Sequence, residues 1–379
     1  AQGHATEALS LAEKARMLTP EDNTRLIGST ALALGVAYRM EGRFDEAIAS
    51  LEEALQSAQT IDDHVTALVA VEHLALIWFQ LGQLRRLIHE AEFAIKRTEI
   101  ISQVAPMMIG TVHAVIGQVY YEWNQIETAR EMLLHGLRMA QLSGQPTSVI
   151  YVCIYLARLC QETGDLEAAA RYLDEASDAL AQGGPSWARL DLVAQQVNLL
   201  MSQGNPAEAE TRLRATGIPA EAPVTFRTDL IHLAWLRWMI SCRHPGAFAL
   251  AKRIVQSAES QGRHGTMIQA LVLGAKAGGG AAWLARARQL GEPEGYQRIF
   301  IDVTFHKNGV ACPELIEQLT MREMEVLRLL AEGLSYAEIA ARLVVSVNTV
   351  RFHVKKVYGK LGVEKQTQAV DRGRELGLI

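Results

Sequence analysis

A chain of 379 residues is long enough for two or three domains, and its apolar content of 49% excludes an intrinsically disordered protein. The net charge of −5 excludes a protein that coats nucleic acid along its whole length. The charge is uneven, however: residues 313–379 hold 10 Lys and Arg against 9 Asp and Glu, whereas the remainder holds 27 against 33. We therefore expect any nucleic-acid surface on a single element near the C-terminus.

Neither a membrane span nor a disulfide framework is predicted. Residues 100–121 contain no charged residue over 22 positions, but Gln103 and Pro106 argue against a membrane helix. Residues 1–18 are charged and amphipathic, which is not the pattern of a signal peptide. The cysteines have no metal-ligand spacing and are expected to be reduced; they are Cys153, Cys160, Cys242 and Cys312. We expect a cytoplasmic protein.

The first two hundred residues repeat with a period of about 40 residues. Turn residues recur at spacings of 39, 40, 42, 40 and 40, namely Gly3, Gly42, Gly82, Asn124, Gly164 and Gly204. All are glycine except one asparagine, which tolerates the left-handed conformation best after glycine. Seven residues before each turn from the second onwards stand Gly35, Ala75, Gly117, Ala157 and Val197. Five residues after each turn stand Ala8, Ala47, Leu87, Ala129, Ala169 and Ala209. Small residues at these positions predict helical hairpins whose helices cross closely.

The spacing of small and large residues resembles that of tetratricopeptide repeats, although their usual period is nearer 34 residues. Hairpins of this kind cannot bury their faces alone, so we expect them to stack into a solenoid with a continuous core and a concave surface. We predict about five and a half hairpins over residues 1–217. Only the second helix of the first hairpin is expected, because Gly3 precedes it.

Residues 218–302 are predicted to be degenerate helical repeats that close the solenoid. Prolines interrupt the register here, and Ala277–Gly280 breaks the pattern before a last helix, Ala281–Leu290. Helices are also expected over Leu230–Ile240 and Phe248–Glu259. In the first of these, the pair Trp235 and Trp238 is more typical of a core than of a ligand site. Residues 303–318 are interpreted as a linker.

No catalytic, cofactor or metal site is predicted. The chain lacks H-E-x-x-H, G-x-S-x-G and G-x-x-x-x-G-K-[ST] motifs. Its histidines are scattered, and its carboxylates are spread along helix surfaces, where solvation is the default interpretation. We therefore expect no enzyme within this sequence.

The last sixty residues show the pattern of a helix-turn-helix. Capping boxes pair Thr320 with Glu323 and Ser335 with Glu338, and Gly333 stands where a helix ends in a left-handed residue. Three residues after the short second helix, Ser346 is expected to cap a long helix. A short helix, a tight turn and a capped long helix predict that the long helix enters the major groove.

The long helix has two opposite faces. Its apolar stripe consists of Val350, Val354, Val357 and Leu361. Between Ser346 and Val363 the chain has four basic residues and no acidic residue. Such a cationic face suits phosphates and base edges, whereas the alternative is a solvated basic face on an ordinary bundle helix. The short helix before it favours the first interpretation.

Residues 319–379 resemble the DNA-binding domain of LuxR-type transcriptional regulators. The matching text is LTMREMEVLRLLAEGLSYAEIAARL, then SVNTVRFHVKKVYGKLGV, then TQAVDRGRELGLI. With the pattern above, the resemblance implies an interface with double-stranded DNA formed by Asn348, Thr349, Arg351, Phe352, His353, Lys355 and Lys356. Arg351 and Lys355 are expected at base edges, and Phe352 in the groove. Related domains pair through their last helix, so a homodimer through Ala369, Val370 and Leu376 is expected.

The sequence departs from the LuxR-type pattern at three positions. Tyr336 replaces the usual Asn, Met324 stands where a charged residue is common, and Gln366 replaces a frequent Arg. The last change removes one expected phosphate contact. Phe352 can meet a thymine methyl group but cannot hydrogen-bond a base.

The repeat followed by this domain resembles the MalT-like, large ATP-dependent LuxR regulators, and Gly291–Asp302 resembles the segment that closes their repeat array. The resemblance implies that the array receives an inducer, either a small molecule or a protein. Candidate positions are exposed concave residues such as Arg39, Gln80, Gln118 and Arg158. Those regulators begin with a nucleotide-binding domain: either an upstream portion precedes Ala1 or this member has lost its ATPase. The incomplete first hairpin favours the former.

The predicted fold class is therefore all-α, with a TPR-like solenoid at residues 1–302 and a four-helix LuxR-type domain at residues 319–379. The predicted function is a sequence-specific DNA-binding transcriptional regulator with an effector-sensing or partner-sensing solenoid. The alternative is an interaction scaffold with a vestigial helix-turn-helix domain, favoured by Gln366, Phe352 and the near-neutral charge of the C-terminal part.

Overall fold

The computed structural model describes residues 2–101, 110–185, 187–305, 321–343, 345–361, 363 and 365–375. Every regular element in this part of the chain is a helix. The chain divides into two compact units, Ala1–Val303, here the repeat unit, and Thr304–Ile379, here the terminal unit. The predicted linker lies mostly outside the described residues, and the predicted domain boundaries stay predictions.

The repeat unit begins with one helix and five helical hairpins. The first helix is α1 (Gln2–Met17). The hairpins are α2 (Thr24–Glu41) with α3 (Phe44–Thr60), α4 (His64–Leu81) with α5 (Leu84–Ile101), α6 (Gly110–Glu122) with α7 (Ile126–Ser143), α8 (Pro146–Glu162) with α9 (Leu166–Ala181), and α10 (Ala188–Ser202) with α11 (Pro206–Arg214). The all-α, TPR-like prediction is confirmed.

Local chemistry explains the hairpins. Five predicted turn residues are left-handed: Gly42, Gly82, Asn124, Gly164 and Gly204 have φ of 75°, 74°, 59°, 86° and 78°. The helices then cross closely, because a Cβ on Gly35 would lie 2.5 Å from the Leu51 Cγ, and one on Gly117 would lie 2.7 Å from the Leu133 Cγ. The residues five after each of these turns, Ala47, Leu87, Ala129, Ala169 and Ala209, are all 0% exposed.

The sixth turn prediction is wrong. Gly3 lies inside the continuous helix α1, and Ala8, predicted at a close crossing, is exposed. The helix packs on α2 through Leu9 and Ala12 instead. Its register therefore differs from that of the five hairpins.

After Gly217 the chain turns back on the hairpins. We call residues 218–303 the return segment. It contains α12 (Asp229–Ser241), α13 (Ala247–Glu259), α14 (His264–Gly274), a short π-helix (Ala275–Gly279), α15 (Gly280–Gly291), a 3-10 helix (Glu292–Glu294) and the start of α16 (Arg298–Phe305). The predicted helices correspond to α12, α13 and α15, whereas α14 is not among the predicted elements. Trp235 belongs to the core as expected: it is 4% exposed, and its indole N–H donates to the Ile218 carbonyl at 2.9 Å.

The return segment contacts the turn ends of four successive hairpins. At the first, the Arg227 Nε donates to the Met40 carbonyl at 3.1 Å. At the second, the Arg85 Nε donates to the Pro293 carbonyl at 2.7 Å. The first of these bonds uses a backbone carbonyl of the hairpin, and the second uses a backbone carbonyl of the return segment.

The third and fourth hairpins meet the start of α16. The Gln297 N–H donates to the Glu122 carbonyl at 2.8 Å, which is a backbone pair. Arg298 donates to the Glu162 carbonyl at 3.3 Å. The return segment therefore closes the array across its turns.

The return segment contains a buried ion pair between Arg263 and Asp229. Arg263 is 1% exposed and Asp229, the first residue of α12, is 5% exposed; their side chains form a salt bridge. The Asp229 carboxylate also accepts from the Thr266 hydroxyl at 2.8 Å, and Arg263 donates to the Ser257 hydroxyl at 2.7 Å. The pair thus joins α12, α13 and α14.

One described helix, α4, is long and apolar enough to cross a membrane, judged by length and composition alone. In the repeat unit its residues Leu68, Leu74 and Trp78 are buried, and the helix packs on α2, α3, α5, α6 and α14. Residues 102–109 of the apolar stretch considered above lie outside the described residues. Cys153 and Cys160 are buried and unpaired as expected, Cys242 is exposed and unpaired, and Cys312 lies outside the described residues.

The terminal unit contains α17 (Met321–Ala331), α18 (Tyr336–Leu343), α19 (Val347–Leu361) and α20 (Gln366–Glu375). Its core is formed by apolar residues of all four helices: Val326, Leu327, Leu330, Ile339, Val350, Val354, Val357 and Ala369. The burial of Ala369 contradicts its predicted role in a dimer contact, because α20 turns this residue towards Leu327 and Val357. Val370 is half-buried against the same unit, and Leu376 lies outside the described residues.

Candidate nucleic-acid interface and ligand cavity

Helix α19 starts at the predicted cap. The Ser346 Oγ accepts a hydrogen bond from the Thr349 N–H at 3.1 Å, and the two hydroxyls lie 2.8 Å apart. This cap satisfies one backbone donor and leaves the positive end of the helix dipole at the start of α19. An anion is therefore favoured near this end.

The two helices before α19 hold it in place. Ser335 and Glu338 form the predicted capping box: the Ser335 N–H donates to the Glu338 carboxylate at 2.8 Å, and the Glu338 N–H donates to the Ser335 hydroxyl at 3.4 Å. Gly333 has the predicted left-handed conformation, with φ of 82°. Glu323 is buried, whereas its predicted partner Thr320 lies outside the described residues. The turn chemistry predicted from the sequence thus orients the short and the long helix.

The two faces of α19 separate as the pattern predicts. Val350, Val354 and Val357 are 0%, 4% and 0% exposed, and the side chain of Leu361 lies outside the described residues. The opposite face exposes Asn348, Arg351, Phe352, Lys355 and Lys356. From the first to the last of these the helix rises about 12 Å, which is about the width of the major groove of DNA.

The exposed cations are available to a ligand. Arg351, Lys355 and Lys356 form no ion pair within the described residues. Phe352 is 58% exposed, and the Lys356 Nζ lies 5.3 Å from its ring centroid, which is within the range of a cation–π contact. Phe352 therefore adds apolar surface to the cationic face of α19.

Two residues of the predicted interface are less exposed to solvent than the others. Thr349 and His353 are half-buried at the border between the two faces, and the Thr349 hydroxyl already contacts Ser346. The amide of Gln366, which stands where the LuxR-type pattern often has Arg, donates to the Leu330 carbonyl at 3.1 Å. It therefore binds the C-terminal end of α17 within the terminal unit.

The repeat unit contains a cavity of about 340 Å³. It is lined mainly by α2, α4, α8 and α10 and by the return segment. Arg39, Gln80 and Arg158, three of the four candidate effector positions, lie on its wall. The fourth prediction, an exposed Gln118, is wrong: this residue is 1% exposed, because α6 is enclosed by α4, α5, α7 and α8.

Sequence reasoning missed several residues of the cavity wall. Tyr151 and Tyr155 precede Arg158 at helical spacing on α8, so one face of that helix carries all three. Asp191 lies within the mostly apolar helix α10. These two patterns could have indicated the site, whereas Arg227 reaches the wall only because the return segment folds back.

Some of the charged side chains on the cavity wall form ion pairs and others do not. The Arg158 and Glu122 side chains form a salt bridge of 2.9 Å, and the Asp229 carboxylate is paired with Arg263. Arg39 and Asp191, in contrast, have no hydrogen-bond or ion-pair partner for their side chains among the described residues. Burial raises the pKa of the Asp191 carboxyl to about 7, and burial lowers the pKa of Arg39.

We expect Asp191→Asn to stabilise the protein at about pH 8 and to have little effect near pH 4. The pKa of Asp191 is about 7 in the folded protein, above the value of about 3.9 expected in the unfolded chain. As the pH rises between these values, the unfolded carboxyl ionises first and wild-type stability falls, whereas asparagine cannot ionise. Urea unfolding at both pH values measures the difference.

The exposed Asp174 on α9 provides the matched control. Asp174→Asn removes a carboxylate from a solvent-exposed position and should change the free energy of unfolding by little. A stability gain in Asp191→Asn that is equal at both pH values would contradict the assigned ionisation.

Each of the two units matches a known protein family. Residues 1–304 match the family model of the MalT-like TPR region, and residues 317–372 match that of the luxR family of bacterial regulatory proteins. The HTH-type transcriptional regulator MalT of Vibrio parahaemolyticus is 21% identical over 435 aligned positions, which cover 96% of this chain and 47% of that protein.

The response regulator protein VraR of Staphylococcus aureus is 49% identical over 57 residues, which cover 15% of this chain and 27% of that protein. VraR of Staphylococcus epidermidis matches to the same extent. The chain thus spans about half the length of the MalT relative and about a quarter of the length of the VraR relatives. Because the first family model matches most of the sequence, the chain belongs to the family with a MalT-like TPR region, and it ends in a regulatory domain of the luxR family.

Proposed function

We propose that this protein is a sequence-specific DNA-binding transcriptional regulator. The observation that carries the proposal is the exposed face of α19, where Arg351, Lys355 and Lys356 are unpaired in the described part of the chain and flank an exposed Phe352. A capped helix with this face, positioned by a preceding short helix, has the geometry with which helix-turn-helix proteins enter the major groove. The MalT and VraR relatives support the same interpretation.

The side chains divide by chemistry. Arg351 and Lys355 carry donors that suit the acceptors of guanine, and the amide of Asn348 suits adenine. Phe352 would contact a thymine methyl group. We assign Thr349, His353 and Lys356 to phosphates, which position the helix without reading sequence.

We further propose that the repeat unit receives the effector in its cavity. Three features support this: a cavity of about 340 Å³, wall residues without partners, and the return segment that forms part of the wall. Cavities of this size hold small molecules. A homodimer and a cytoplasmic location belong to the same proposal, and sedimentation with and without DNA tests the first.

Selection of bound duplexes from a random DNA pool tests the proposed function. The full chain should enrich a sequence motif, whereas a variant with Arg351→Glu and Lys355→Glu should enrich none. Arg328→Glu, which changes an exposed residue of α17, is the control for a change of charge in the same unit. If the wild-type chain enriches no motif even at low salt, the alternative of an interaction scaffold is supported instead.

Lys356→Ala should weaken binding to all DNA sequences alike. Removal of one phosphate contact should reduce the slope of log affinity against log salt concentration by about one unit. Fluorescence anisotropy at several salt concentrations, with the selected duplex and a scrambled one, measures both quantities.

A matched control is available in the repeat unit. The Lys252 Nζ lies 4.5 Å from the Phe248 ring centroid, so Lys252→Ala also removes an exposed lysine above an aromatic ring. Lys252→Ala should leave the slope of log affinity for DNA against log salt concentration unchanged. A Lys356→Ala slope equal to that of the wild type would contradict the phosphate assignment.

A further inference from the structure

We propose that the cavity of the repeat unit binds a small organic anion, a carboxylate or phosphate on an apolar or aromatic body, with Arg39 as its counter-ion. This inference rests on the proposed effector site and names its ligand class. It depends on three properties of the cavity wall: an unpaired cation, an excess of positive charge and an aromatic surface.

Arg39 is the unpaired cation. It lies in the last turn of α2, and its guanidinium forms no hydrogen bond or ion pair with any described residue. Its Nε is buried without an acceptor. Two half-buried carboxyls, Glu72 and Asp191, act on it only through space, and desolvation raises the pKa of both.

An anion would satisfy this side chain. A guanidinium has five N–H donors in a planar fork that matches carboxylate and phosphate oxygens. A half-buried cation whose Nε lacks an acceptor is costly in the free protein, and a bound anion would offset that cost.

The neighbouring charges favour an anion over a cation. Arg158 is neutralised by Glu122 at 2.9 Å, but Arg227 donates to the uncharged Met40 carbonyl. Arg39 and Arg227 therefore face the cavity with their charges uncancelled by a contacting carboxylate. The carboxyl of Asp191 is the opposing charge on the cavity wall. Burial raises its pKa to about 7, so it is partly protonated at neutral pH and cancels only part of the positive charge.

Aromatic side chains provide the surface for the body of the ligand. Tyr151 and Trp187 have ring centroids 5.7 Å apart, and Tyr151 and Tyr155 have ring centroids 6.3 Å apart on the same wall. Phe79 and Phe226 add apolar surface. An uncharged polar ligand could use these rings but would leave the charge of the unpaired cation uncompensated.

An anion in this place would also join two parts of the repeat unit. Arg39 belongs to the first hairpin, whereas Arg227 belongs to the return segment and binds the residue that follows Arg39. The two cations repel, which contributes to the lowered pKa of Arg39. An anion between them would attract both cations, and these two attractions would offset the repulsion and stabilise the closed array.

Thermal unfolding and calorimetry of the full chain test the proposal. The probes are phenylacetate and benzyl phosphate as anions, phenylacetamide as a neutral analogue and phenethylamine as a cation, each at millimolar concentration. The anions should raise the melting temperature and the other two should not; the better of the two anions distinguishes carboxylate from phosphate. No selective effect of either anion would overturn the proposal.

The variant Arg39→Gln provides a second test of the proposal. It should weaken binding of the effective anion by about 10- to 100-fold, the loss expected for a charge-assisted hydrogen bond. Because it removes an unpartnered cation, it should also raise the melting temperature of the ligand-free protein. Arg43→Gln, which changes an exposed residue paired with Glu46 beside the same hairpin turn, is the control and should change neither value by much.

Two outcomes of this second test contradict the inference: unchanged anion binding in Arg39→Gln, or a marked loss of ligand-free stability in that variant. Arg39→Lys keeps the charge and should retain part of the binding. The DNA selection described above does not involve Arg39. Enrichment of a DNA motif without anion binding would therefore reject the ligand class alone and leave the proposed DNA-binding function intact.

Discussion

Replacement of Arg263 by alanine is expected to lower the free energy of unfolding of the repeat unit by about 3–5 kcal/mol, because it leaves the buried Asp229 carboxylate without its cation. Both side chains are almost inaccessible to water, so solvent cannot replace the lost partner. The Ser257 hydroxyl would also lose the hydrogen bond that it accepts from Arg263. Guanidinium unfolding followed by circular dichroism measures the change.

A surface pair provides the control for this prediction. Arg286 and Glu259 form a salt bridge with side chains 43% and 56% exposed, so Arg286→Ala should cost at most about 1 kcal/mol. The double variant Arg263→Met with Asp229→Leu removes both charges and should recover much of the lost stability. If Arg263→Ala and Arg286→Ala lower the free energy of unfolding equally, burial does not strengthen the Arg263–Asp229 pair.

Arg351→Ala is expected to reduce affinity for the selected DNA sequence by about 1–3 kcal/mol, or roughly 5- to 150-fold, if its guanidinium binds a base edge in two places. Its exposure on α19 and its lack of an ion pair within the described residues leave all five donors available. The loss should fall on one base position of the selected motif and should be much smaller for scrambled DNA. Competition binding at fixed salt measures this difference.

Arg328→Ala is the matched control, because Arg328 is an exposed arginine of the same unit on α17. Its removal should leave the base preference unchanged. If Arg351→Ala weakens selected and scrambled DNA equally, Arg351 contacts phosphate and the base-reading assignment is wrong.

Local sequence patterns predicted the hairpins and the helix-turn-helix well. The left-handed turns at Gly42 and Gly82 and the cap at Ser346 depend on residues within a few positions of one another. Gly3 shows the limit of the same reasoning: glycine permits a left-handed turn but does not require one, and here it lies within a helix.

Errors arose where a residue's environment depends on distant elements. Gln118 is expected on the exposed concave surface that the resemblance implies, but α6 is enclosed by four other helices. The resemblance made Ala369 a dimer contact, whereas α20 docks it into the core of the terminal unit. A helix pattern gives the spacing of a face but not the identity of what covers it.

The amino-acid sequence by itself determined the helices, their turns and the cationic face of α19, because capping, left-handed turns and apolar spacing act over a few residues. Only the tertiary structure decided that the return segment crosses the array and completes a cavity at Arg39. The contacts that achieve this join residues such as Arg85 and Pro293, which are 208 positions apart, and they use backbone carbonyls. Every residue has such a carbonyl, so no sequence pattern marks the ones that are used.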